Sequence, residues 1–178
     1  MATNLQYIDQ LKFNSSPSSN QLVLDNIFTD QYDTYFVNIN EIDGNQTGYY
    51  LWLRFIDSSG NQISDSEYIF STYQTTSHQA FTGVDSDGTT LINYVGFSGS
   101  GGLDDDRYDG GTSMYIFNPA DSNSYTRVHS QCSGYNSSGN LYHLKTIGIH
   151  KSAEAVRGIR IGGHSAFYGV NMSVYGVK

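Results

Sequence analysis

Apolar and polar positions alternate along most of the chain, and the period is that of strands. In LWLRFI (51–56), Leu51, Leu53 and Phe55 share one face and Trp52, Arg54 and Ile56 the other. A step of two between like residues is the signature of a half-buried strand. DTYFVNINEI (33–42) repeats it through Tyr35, Val37 and Ile39. Comparable runs lie at 5–13, 21–28, 66–73, 91–97, 112–118, 124–132, 141–150, 156–162 and 167–177, with Ser, Asn, Asp and Gly between them. The spacing predicts about ten or eleven strands joined by short loops.

DSSGN (57–61) ends the 51–56 run as a turn in which Gly60 can take positive φ. Only KSAEAV (151–156) hints at a helix, and it is long enough for a turn alone. No internal repeat, heptad or linker divides the chain. The expectation is one domain over residues 1–178, an all-β fold built as a single jelly-roll-like antiparallel β-sandwich. Leu51, Leu53 and Phe55 then enter the core, with Val37, Ile39, Ile116 and Val174 as partners. Trp52 and Ile56 face outward on this reading, with Arg54 between them. Outward apolar groups of that size are covered by the same chain or by a subunit contact. Trp52, Arg54 and Ile56 are therefore the candidate interface.

Composition agrees with the strands: the chain has 15 tyrosines, 9 phenylalanines, 19 glycines and only 2 prolines in 178 residues. Aromatics do the burying that leucine and isoleucine do elsewhere. Seventeen acidic residues against nine basic ones give a formal charge of -8, which repels phosphate backbones and excludes nucleic acid as the expected partner. Cys132 is the only cysteine, so no internal disulfide forms, and a small buried side chain is its expected role. MATNLQYIDQ has neither the basic start nor the apolar run of a signal peptide, and no window is long enough for a membrane-spanning helix. Folding in a cytoplasm is the expectation.

Candidate chemistry is sparse. Asp104, Asp105, Asp106 and Asp109 in a glycine-rich stretch, and DSDG (85–88), offer hard oxygen ligands without the spacing of a calcium loop. His78, His129, His143, His150 and His164 show no metal-ligand spacing. GFSGS (96–100) falls one glycine short of a nucleophile elbow, having Ser100 last, and that motif belongs to an α/β fold. Asp65 and Glu67, two apart, could cleave a glycosidic bond only if they faced each other across one, whereas this spacing gives a shared solvent face. No catalytic residue, metal site or cofactor is expected, and the reading is non-enzymatic. Sugar binding has more material, with Trp52, Arg54, Tyr49, Tyr50 and Tyr108 among many asparagines.

DQYDTYFVNI (30–39), LWLRFIDSSG (51–60), YIFNP (115–119), NLYHLKTIGIHK (140–151) and MSVYGVK (172–178) resemble small virion structural proteins of marine tailed phages, especially cyanophages. The resemblance implies a β-sandwich subunit on the head exterior or in the tail, with no active-site residue to transfer. A sandwich starting close to Met1 fits a stand-alone decoration or cement protein better than a fibre tip. The implied partners are the major capsid protein or another virion protein, and a second copy of the chain, a homotrimer ahead of a dimer. The implied location is the virion, assembled in the host cytoplasm. The alternative is a carbohydrate-binding or tail-associated protein that meets a surface glycan during host attachment.

Overall fold

The computed structural model describes residues 4–14, 19–44, 50–77, 79–97, 99–100, 111–135, 140–164 and 166–178. Within them the chain forms thirteen strands and no helix. They are β1 (Leu5–Asn14), β2 (Gln21–Leu24), β3 (Thr34–Gly44), β4 (Tyr50–Asp57), β5 (Tyr68–Thr76), β6 (Gln79–Thr89), β7 (Ile92–Phe97), β8 (Gly99–Ser100), β9 (Gly111–Phe117), β10 (Tyr125–Tyr135), β11 (Leu141–Ala153), β12 (Val156–Gly162) and β13 (Phe167–Val177). No helix among the described residues is long and apolar enough to cross a membrane.

The strands form two sheets. The larger runs β1-β13-β3-β9-β10-β11-β5-β6, with the two-residue β8 parallel to β3, and the smaller runs β2-β12-β4-β7. Every other pairing is antiparallel. The chain crosses repeatedly from one sheet to the other, as in β1 to β2 to β3 to β4, so that strands distant in sequence become neighbours. That is the jelly-roll-like sandwich the alternation predicts.

Burial follows the pleat. β10 alternates without a break, with Thr126, Val128, Ser130, Cys132 and Gly134 inward and the residues between them exposed. Leu51, Leu53 and Phe55 are fully buried in one cluster with Val37, Ile39, Ile116 and Val174. Cys132 packs with Phe97 and Leu144 in a second, smaller cluster, where burial pushes its thiol up to about 12.

Three details depart from the sequence expectation. QAFTGVDSDGT forms β6, an edge strand paired with β5, where the alternation had shown only an acidic stretch. The segment at 151–156 is no helical turn: β11 runs on to Ala153, and β12 begins at Val156. Ile56 is on the outer side of its sheet but is covered there, only 1% exposed. It forms a bridge with Gln62 beyond the turn at Gly60, whose φ is 89°, and it lies opposite Gly158 of β12. The returning turn and a bare glycine cover it from its own chain.

Candidate functional site

Trp52, Arg54 and Ile56, the interface the sequence suggests, sit on the outer side of the small sheet. Trp52 pairs with Gly162 and Ile56 with Gly158, so two large side chains four apart on β4 meet two glycines four apart on β12. A Cβ on Gly162 would lie 2.0 Å from Trp52 Cζ2; one on Gly158 would lie 2.4 Å from the Leu24 carbonyl oxygen, with Ile56 Cδ1 3.3 Å away. The indole therefore rests on bare backbone, which leaves Trp52 only partly exposed. The Arg54 guanidinium lies 5.1 Å from the indole centroid and donates through Nε to the Thr90 carbonyl at 2.8 Å. Most of the outward apolar area expected on this strand is thus satisfied within the chain.

The outer side of the large sheet is different. Register places Tyr7, Tyr175, Phe36, Tyr115, His129 and Ile147 side by side on β1, β13, β3, β9, β10 and β11. Ring centroids along the first four are 6.0, 6.3 and 5.0 Å apart, and Phe117 joins from the next row, 5.0 Å from His129. Tyr7 is 54% exposed, Tyr115 44% and Ile147 46%. Past Ile147, Ile69 and Ile149 help floor a shallow apolar depression bordered by Asp85 and Asp87. Arg127 and Lys145 stand exposed in the flanking rows on either side of His129 and Ile147. The face offers an apolar strip across most of the sheet, with Arg127 and Lys145 beside its middle and Asp85 and Asp87 at one end, which suits a partner with an apolar centre and a polar rim of mixed charge.

A third locality was invisible in the sequence. His150, near the end of β11, is 0% exposed, packed 4.7 Å from the Tyr68 ring, and neither ring nitrogen has a hydrogen-bond partner among the described residues. Its Nε2 lies 3.4 Å from Asp65 Oδ1 and 3.8 Å from Glu154 Oε1. One donor atom from each of the three lies within 4.8 Å of the others. Asp65 and Glu67 do not share a strand, since both precede β5; the Glu67 carbonyl accepts from Lys151 N at 2.8 Å, which draws this loop to β11. The only trace in the sequence is His150 four residues before Glu154, a spacing without meaning on a strand; Asp65 is joined to them by the fold.

The other candidates are dispersed. Asp85 and Asp87 lie along the exposed edge strand β6, where Lys151 pairs with Asp87 and holds its carboxyl below the usual range. His129 is exposed, whereas Cys132, three residues on, points into the core, so the two do not form a reactive pair. Tyr50 is half-buried and donates to Gln74 Oε1 at 3.1 Å. Tyr49, His78, Asp104, Asp105, Asp106, Tyr108 and Asp109 lie outside the described residues.

No family model matches the chain, and no curated protein matches it. Among solved structures it is similar to a fructofuranosidase from Schwanniomyces occidentalis, at 7% identity and a TM-score of 0.22 over 99% of this chain. It spans 35% of that protein, about a third of its length. It is also similar to the laminarinase catalytic domain from Thermotoga maritima, at 9% identity and a TM-score of 0.23, over 95% of this chain and 77% of that one. At such identity and TM-score, the account of the fold rests on the strand order itself.

Proposed function

We propose that the chain is a structural subunit of a tailed-phage particle, decorating or cementing the head exterior by docking the outer face of its large sheet on a shell protein. The observation that carries this reading is the row from Tyr7 to Ile147, apolar but for His129 and exposed at Tyr7, Tyr115, His129 and Ile147. The phage setting comes from the sequence resemblance. The sheet edges favour a face rather than an edge as the contact. Exposed Asp85 and Asp87 line β6, a bulge between Tyr7 and Asp9 interrupts β1, and β2 is only four residues long. Charge, bulges and short length are the devices that keep edges from pairing with other chains. Self-association into a closed homotrimer, with a dimer next, belongs to the same proposal, because subunits on an icosahedral shell repeat about its axes.

Glycan binding by the same strip is the second reading, and the ring geometry bears on it. A flat polysaccharide surface asks for coplanar rings. Neighbouring rings here meet at 74°, 32°, 43°, 24° and 66°, a relief that fits interdigitating side chains better. The test is co-sedimentation of the purified chain with phage heads. Tyr115→Ser and Ile147→Ser together should abolish it at only a modest cost in melting temperature, since both side chains are nearly half exposed. Undiminished binding by the double variant would overturn the assignment of this face, and specific retention by a glycan matrix would move it to the second reading.

A further inference from the structure

We propose that Asp65, His150 and Glu154 form a binding site for a divalent cation of zinc type, which ties the β4–β5 connection to the β11–β12 connection at one end of the sandwich.

The buried imidazole points to a ligand independently of the carboxylates. A polar group taken out of water keeps a hydrogen-bond partner in nearly all folded proteins, because leaving it unpaired is costly. His150 has none at either nitrogen, although Asp65 Oδ1 is 3.4 Å from Nε2. The carboxylate is near the nitrogen but out of line for a hydrogen bond.

Distance and charge then select the ion. Zinc bonds to imidazole nitrogen and carboxylate oxygen are about 2.1 Å, so neighbouring donors in a tetrahedron sit about 3.4 Å apart. The Nε2 separations of 3.4 and 3.8 Å meet that value or come within a small side-chain adjustment of it. Calcium and magnesium prefer all-oxygen shells, whereas imidazole suits zinc and its neighbours. Two carboxylates and a neutral histidine balance a dication, leaving no net charge beside the Tyr68 and Phe55 rings that flank the imidazole. The Asp65 and Glu154 side chains are 45% and 37% exposed, which gives the ion a way in and leaves a fourth position open to water.

The consequence is mechanical. Asp65 lies between β4 and β5, and Glu154 lies between β11 and β12, so one ion would cross-link strands of both sheets. The site is independent of the docking face and stands or falls separately from it.

The test uses the full chain, stripped with EDTA and dialysed. Zinc chloride titrated by calorimetry should bind at one ion per chain and raise the melting temperature, as any ligand selective for the folded state does. Asp65→Asn and Glu154→Gln each replace an anionic carboxylate with a neutral, weakly ligating amide on a partly exposed side chain, so both variants should fold. Each should weaken zinc by more than about tenfold, the least that even outer-shell changes cost. Cobalt in place of zinc should give visible ligand-field bands that these variants lose. His150→Gln is less informative alone, since it alters the core. No stoichiometric zinc uptake, or uptake of equal affinity in both carboxylate variants, would overturn the proposal.

Discussion

Trp52 is the only tryptophan in the chain, and its ring lies on the bare backbone of Gly162. This one contact answers the question posed by an apolar outward residue on β4, because the cover comes from Gly162 in VRGIRIG. Gly162→Ala should lift the indole, costing about 1–3 kcal/mol and shifting its fluorescence to the red. Unchanged emission and stability would mean that the ring has another seat. Ile56→Thr belongs to the same scale. Its side chain is 1% exposed, so losing a methyl group and burying a hydroxyl should cost about 2–4 kcal/mol in urea titration. A loss under about 1 kcal/mol would show that the site hydrates easily. Trp52→Ser, at a partly exposed position, is the cleaner probe of self-association by the small sheet, with light scattering as its readout.

The element scale shows what alternation reveals and what it hides. β10, and β4 as far as Phe55, are legible because each buries one face regularly, and Val37, Ile39, Ile116 and Val174 meet Leu51, Leu53 and Phe55 as their spacing implies. β6 escaped notice because it is an edge strand, whose backbone pairs with β5 alone and whose Asp85, Asp87 and Gly88 read as loop chemistry. The His150 cluster is hidden for a related reason, since its members come from a loop, a strand and a connection. Elements are also held by charge. The Arg157 guanidinium on β12 donates to both Asp25 oxygens, at 2.7 and 2.5 Å, tying the small sheet to the chain that leaves β2. That hydrogen bond holds the Asp25 carboxyl below its ordinary 3.8, more than offsetting the opposing effect of desolvation. A depressed folded value means stabilisation that is present above about pH 4 and lost as pH falls through the folded value. The stability difference between wild type and Asp25→Asn should therefore shrink on acidification in that window. A difference independent of pH would assign the effect to packing.

At the scale of the whole molecule, the two outer faces differ in kind. The small sheet covers its large side chains with its own glycines and turn, while the large sheet leaves tyrosines and isoleucines in a row bordered by Arg127 and Lys145. The chain carries a net charge of -8, so face-to-face contact between copies works against overall like-charge repulsion. An apolar face this broad is expected to be covered in the working assembly. The most direct measurement is a cryo-EM map of the purified phage particle at side-chain resolution. The account predicts density for the sandwich on the head exterior, with Tyr7, Tyr115 and Ile147 buried against a shell protein. Absence of the sandwich from the particle, or its presence with that row turned to solvent, would contradict it.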